Sequence, residues 1–144
     1  MKSHEIDVLR LWANAEADRQ KTVLQDANKT LQDLFAELSE LEKQARQPIG
    51  GVAGHGEMSS IGAEKAWKSW VERRRIELQT KLSAATAQRN IQQEALGMAI
   101  GRREAVQVLQ KNAWAREKQT NKRHQQEVLL AVSLIFDSIT GSKA

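Results

Sequence analysis

The sequence predicts an all-α protein, an antiparallel two-helix coiled-coil hairpin with a longer second helix. Three observations point there. Ala, Leu, Glu, Lys and Arg supply about 47% of the 144 residues, close to the roughly 50% typical of long helices. Five of the eight glycines and the only proline fall between residues 48 and 62, so the breakers sit in one place. Before that cluster, apolar residues recur at alternating spacings of three and four. Four Trp and two Phe are the only aromatic residues, and β-branched residues are few, which would make a poor core for a sandwich or barrel.

The first helix is expected over residues 3–47. Leu24, Ala27, Leu31, Leu34, Leu38, Leu41 and Ala45 form a heptad seam, narrow enough for each side chain to enter a hole on a facing helix. Continued backwards the frame meets Gln20, Ala17, Ala13, Arg10 and Ile6. Small and polar positions bury little surface, which predicts a looser N-terminal end. Ser3 is the expected N-cap, and Pro48 stops the helix because it lacks an amide proton.

Residues 48–60 read as a Gly-rich loop. The second helix is expected over 61–137, entered through Ser59 or Ser60 with Glu64 near the positive end of its dipole, and 138–144 as a frayed tail. The whole chain then forms a single coiled-coil domain. Two apolar stripes compete along the second helix. One holds Val71, Leu78, Leu82, Ala85, Leu96, Ala99, Val106 and Ala113; the other holds Ile91, Ala95, Met98, Ala105 and Leu109. One faces the first helix, and the other is either the flank of a broad seam or a surface for another protein.

The arms are unequal. A fold-back at the loop leaves the second helix without a partner beyond about residues 100–105, and that overhang carries Val128, Leu129, Leu130, Ala131, Val132, Leu134, Ile135 and Phe136. Bare apolar helix in water is unfavourable. The overhang is therefore expected to dock onto another protein, pair with a second copy, or fold back.

Chemistry is sparse. Without cysteine there is no disulfide and no thiolate nucleophile or metal ligand, a usage that fits a cytoplasmic location. No apolar run is long enough to cross a bilayer, and the N-terminal stretch lacks the apolar block of a signal peptide. His4, His55 and His124 lie in different segments, none at metal-ligand spacing. The run Gly50–Gly56 superficially resembles a phosphate loop but lacks the preceding strand and the closing Gly-Lys-Ser/Thr. No enzymatic activity, cofactor or metal is expected.

Gly97 and Gly101 form a notch in the second helix. Each costs about 1 kcal/mol relative to Ala in an exposed helix. A simple fold-back places the notch opposite residues 6–12, so that either Trp12 fills it or the pair is a kink with no dedicated partner. Charge is uneven: residues 1–50 carry 7 basic and 9 acidic side chains, and residues 51–144 carry 15 and 9. Arg73, Arg74 and Arg75 follow Trp67 and Trp70, but glutamates 72, 77, 94, 104 and 117 interrupt the basic field, and no nucleic-acid motif is present. An acidic protein surface is the expected target, with no nucleic acid. Trp67 and Trp70 share one face beside the loop, either sealing the end of the coiled coil or contacting a partner. Trp114, in the overhang, is read as a partner contact.

A first arm with a Leu seam, a Gly-rich turn near residue 50 and a longer basic second arm that opens with Trp67 and Trp70 resemble the FliJ family of flagellar and type III secretion export proteins. The likeness is best from Gly50 through Leu82. The chain departs from the family pattern in having no tyrosine before the loop. The resemblance implies a non-enzymatic, central-stalk-like coiled coil in the cytoplasm, peripheral at the inner membrane through its partners. The end bearing the termini, with Trp114, Leu129, Leu130, Ile135 and Phe136, would enter a hexameric export ATPase. The loop-proximal end, with Trp67, Trp70, Arg73 and Arg74, would meet the export-gate membrane protein, and some members also escort export chaperones. The competing reading is a generic coiled-coil scaffold or homodimeric adaptor.

Overall fold

The computed structural model describes residues 2–47 and 57–141, and the backbone alone for 57–60. Two helices account for nearly all of them: α1 (Ser3–Arg46) and the longer α2 (Glu57–Gly141), an all-α hairpin. Residues 45–47 line surface shared with Glu64, Trp67 and Lys68, whereas Glu37 and Leu41 adjoin Arg74 and Leu78, so the helices run in opposite directions.

Several boundaries differ from expectation. Ser3 is the first helical residue rather than the cap. The carbonyl of Lys2 accepts the amides of Glu5 and Ile6 at 3.0 and 3.2 Å, and the Lys2 amide donates to Glu5 Oε2 at 3.1 Å. That reciprocal bond is half of a capping box, and the carboxylate performs it without a Ser hydroxyl. The second helix begins at Glu57, not 61, because the breakers crowd before residue 57 and Gly62 alone is too small a penalty to stop a helix. Glu64 therefore lies beyond the first turn, and pairs with Lys68 at 3.3 Å instead. Residues 138–141 are helical rather than frayed. Thr140 Oγ1 donates to the carbonyls of Phe136 and Asp137 at 3.0 and 3.3 Å, occupying acceptors that the helix end would otherwise leave open. Pro48, the run Gly50–Gly56 with His55, and residues 142–144 lie outside the described residues.

The chain divides into two compact units, Ala17–Ala99 and Met1–Glu16 with Ile100–Ala144. In the first unit the core is Leu41, Val71 and Leu78, with Leu34, Leu38, Ala45 and Trp67 packed against it. The expected α1 seam is the one used: Ala17, Leu31 and Leu41 are buried, and Gln20, Leu24, Ala27, Leu34, Leu38 and Ala45 half-buried. On α2 the first stripe faces this seam through Val71, Leu78, Leu82, Ala85, Leu96 and Ala99.

In the second unit Ile6 and Ala13 are buried to 3% and 1% exposure, so the N-terminal end is not loose. Alanine brings two backbones close enough that little water reaches between them, and a small side chain is then more completely covered than a large one. Arg10 is exposed, and Leu9 takes a half-buried place at that turn of the seam. Val106 and Ala113 complete the first stripe from the α2 side. Gln110 Nε2 donates to Asp7 Oδ1 at 3.3 Å across the helices.

Candidate functional site

Beside the connection, Trp67 and Trp70 stack with centroids 5.1 Å apart and an interplanar angle of 21°. Trp67 is half-buried on the Leu41–Val71–Leu78 core and takes the sealing position. Trp70 lies one helical step outward and keeps 43% of its surface in water. The pair thus couples an anchored ring to a displayed one.

The three arginines that follow are not equivalent, because consecutive residues on a helix point about 100° apart. Arg73 is exposed, and its Nε donates to the carbonyl of Ser69 at 3.4 Å. Arg74 bridges Glu37 on α1 at 3.2 Å and Glu77 on its own helix at 3.1 Å. Arg75 reaches Glu42 on α1 at 2.7 Å and is also bonded to Glu72. The hydrogen bond from Arg75 holds the Glu42 carboxyl below its ordinary range, and reciprocally raises Arg75. Hydrogen bonds from Arg74 and Lys81 lower Glu77 in the same way. Of the two arginines expected to meet a partner, Arg73 is displayed, whereas Arg74 is committed to an inter-helix bridge. Sequence reasoning missed the Glu37–Arg74 and Glu42–Arg75 bridges. Glutamates in the last third of α1 facing an arginine run across the loop were a legible signal, but one usable only with the register.

The Gly97–Gly101 notch is not filled by Trp12. Nothing lies within 4 Å of a Cβ built at either glycine, and Trp12 is itself 53% exposed on the outer face of α1. The register explains the correction. Within its unit, Gly97 lies as far beyond Arg75 as Gln20 lies before Glu42; within the other, Gly101 is level with Glu16 by the Asp7–Gln110 contact. Both glycines point outward. Ile91, Met98, Ala105 and Leu109 of the second stripe are also exposed, and Ala95 alone is half-buried, so the stripe touches the seam only at Ala95 and otherwise faces outward.

Asp7 bonds Gln110, and α1 has only four residues beyond it, Ile6 back to Ser3, so α2 loses its partner near residue 114 rather than at 100–105. Every residue from Trp114 to Gly141 is exposed. Helix α2 continues unbroken to Gly141, which removes the fold-back option. Trp114, the most exposed tryptophan, opens this segment. Lys118, Lys122 and Arg123 follow, and then Val128, Leu129, Leu130, Val132, Leu134, Ile135, Phe136 and Ile139, all exposed. No Asp, Glu, Lys or Arg lies between Glu127 and Asp137. The apolar residues point around most of the helix, interrupted by a polar stripe through Gln126, Ser133, Asp137 and Thr140 and, on another side, by Glu127 and Ser138.

Among the described residues no group of three or more His, Cys, Asp or Glu could hold a metal ion, and no helix is long and apolar enough to cross a membrane. Comparison with protein-family models, curated proteins and solved structures finds no match.

Proposed function

We propose that the chain is a non-enzymatic stalk protein of a flagellar-type, type III export apparatus, whose tail enters a hexameric export ATPase and whose loop-proximal end contacts the export gate. The observation that carries this reading is the bare helix from Trp114 to Gly141, whose stretch from Val128 to Phe136 is apolar and yet exposed. An apolar stripe that faced one neighbouring helix would cover about a third of the circumference. This one covers far more, and a closed ring is the kind of partner that buries a helix from all sides. At the other end, Trp70 offers a rigid ring and Arg73 an exposed guanidinium, held only by the Ser69 carbonyl of its own helix, to an acidic or amphipathic surface.

The chain hydrolyses nothing in this scheme. Ring states that differ in their contacts with the tail carry different free energies, so nucleotide turnover biases the position of the stalk and, through Trp70 and Arg73, the gate. Export chaperones are a further class of partner, and the chain works in the cytoplasm, held at the inner membrane only through the proteins it binds.

The test is reconstitution with the export ATPase of the same organism. Adding the chain should promote hexamers and accelerate ATP turnover. Leu130→Asp with Ile135→Asp should abolish both effects while far-UV helicity is retained. A folded wild-type chain that changes neither assembly nor turnover refutes the stalk reading.

A further inference from the structure

The tail carries a register as well as apolar character. Val128, Val132, Ile135 and Ile139 are separated by 4, 3 and 4 residues, the alternation of heptad core positions, and all four are exposed. All are β-branched. In parallel coiled coils, β-branched residues at both core positions shift assembly from two strands toward three or four. Leu129 and Phe136 each follow a core residue directly, at the flanking position that helices of a bundle also use.

Area points the same way. The stretch from Val128 to Ile139 is about 18 Å long and about 10 Å across, so its outer surface is roughly 570 Å². One neighbour covers at most about half, and a pair of tails would bury only about 600 Å² in total, below the roughly 1,200 Å² of a stable interface. Four tails, each covered over about two thirds, bury roughly 1,500 Å². Every copy presents the same stripe, and α1 stops level with the start of the tail, so among the described residues none of the same chain covers it.

We infer that, in the absence of another partner, further copies of this chain cover the tail by forming a bundle of at least three tails through Val128, Val132, Ile135 and Ile139. The polar Asn121 and Gln125, at the preceding core positions, end the bundle on one side. Next to them Lys111, Arg116, Lys118, Lys122 and Arg123 outnumber Glu117 and Glu127, so each copy brings a basic band beside the stripe. Those bands repel when tails gather, and salt screens the repulsion. Self-association therefore strengthens as salt rises, the opposite of binding to an acidic protein or an anionic lipid surface. The bundle uses the surface assigned above to the ATPase but does not depend on that assignment, and the two modes of covering exclude each other.

The experiment is sedimentation equilibrium of the full chain over a wide concentration range at low and high salt. The mass should climb from 16.2 kDa toward three or four times that value, with the transition at lower protein concentration in high salt. Val132→Asp with Ile135→Asp, and the milder Val132→Ser with Ile135→Ser, should remain single chains with helicity unchanged. Ile91→Asp with Met98→Asp, on a different exposed face, should associate like the parent. A single-chain mass at every concentration overturns the inference. So does a plateau at two chains, association that persists in both tail variants or is lost in the outer-face variant, or association weakened by salt.

Discussion

Arg75 grips Glu42 on the facing helix with two bonds, Nε to Oε1 at 2.7 Å and Nη2 to Oε2 at 3.2 Å. It is the two-pronged member of a pair of bridges beside Trp67 and Trp70, and it ties α1 to α2 just before the connection.

This geometry sets an acid limb to stability. The carboxyls of Glu42 and Glu77 are lowered in the folded chain relative to the usual 4.5. A lowered folded value means the unfolded chain binds protons first, so the contribution is complete above the unfolded carboxylate range and lost as pH falls through the folded one. Thermal melts should show Tm falling on acidification below about pH 4.5, and Glu42→Gln should flatten that limb. An acid limb identical in Glu42→Gln would separate the bridge from the pH dependence. Both groups are solvent-accessible, so the effect at neutral pH is small.

Leu78, 1% exposed between the helices, and Ile135, 61% exposed on the tail, are apolar residues of one helix with opposite roles. Leu78→Ala should cost about 2–5 kcal/mol in chemical denaturation. Ile135→Ala, measured at a concentration where the chain is monomeric, should lie within about 0.5 kcal/mol of the parent. Equal losses at the two sites would mean the tail is core.

Gly97 and Gly101 have open space where a side chain would go. Gly97→Ala and Gly101→Ala should each stabilise the chain by about 0.8–1 kcal/mol, the helix-propensity difference alone. Urea melts read this directly, and destabilisation by either substitution would show that the notch is packed in solution.

Helix without a packing partner opens locally at little cost. In dilute solution, backbone amides from Lys118 to Thr140 should exchange with solvent many-fold faster than those around Leu78, and brief trypsin treatment should cut first at Arg116, Lys118, Lys122 or Arg123. Raising the protein concentration should restore protection over 128–139 only. Uniform protection along α2 at every concentration would contradict the exposed tail.

The two helices and the α1 seam from Leu24 to Ala45 were determined by sequence alone, because heptad spacing and the crowding of glycines are properties of neighbours along the chain. Nearer the N-terminus Leu9 displaced the expected Arg10. The apolar tail was legible for the same reason. Tertiary structure decided which stripe of α2 turns inward. Both repeat with the helical period, and the tie breaks in favour of the stripe from Val71 to Ala113, which runs opposite far more of α1 than the short one from Ile91 to Leu109. That choice could not be read locally, since it admits Arg89, Gln92, Arg103 and Gln110 to half-buried positions. Everything dependent on register followed from it: the outward notch, the display of Trp12, the bridges of Arg74 and Arg75, and the residue at which α1 ends and the bare helix begins. Close packing at Ala13, too, was a tertiary outcome, because how nearly two backbones approach depends on the small residues of both helices together.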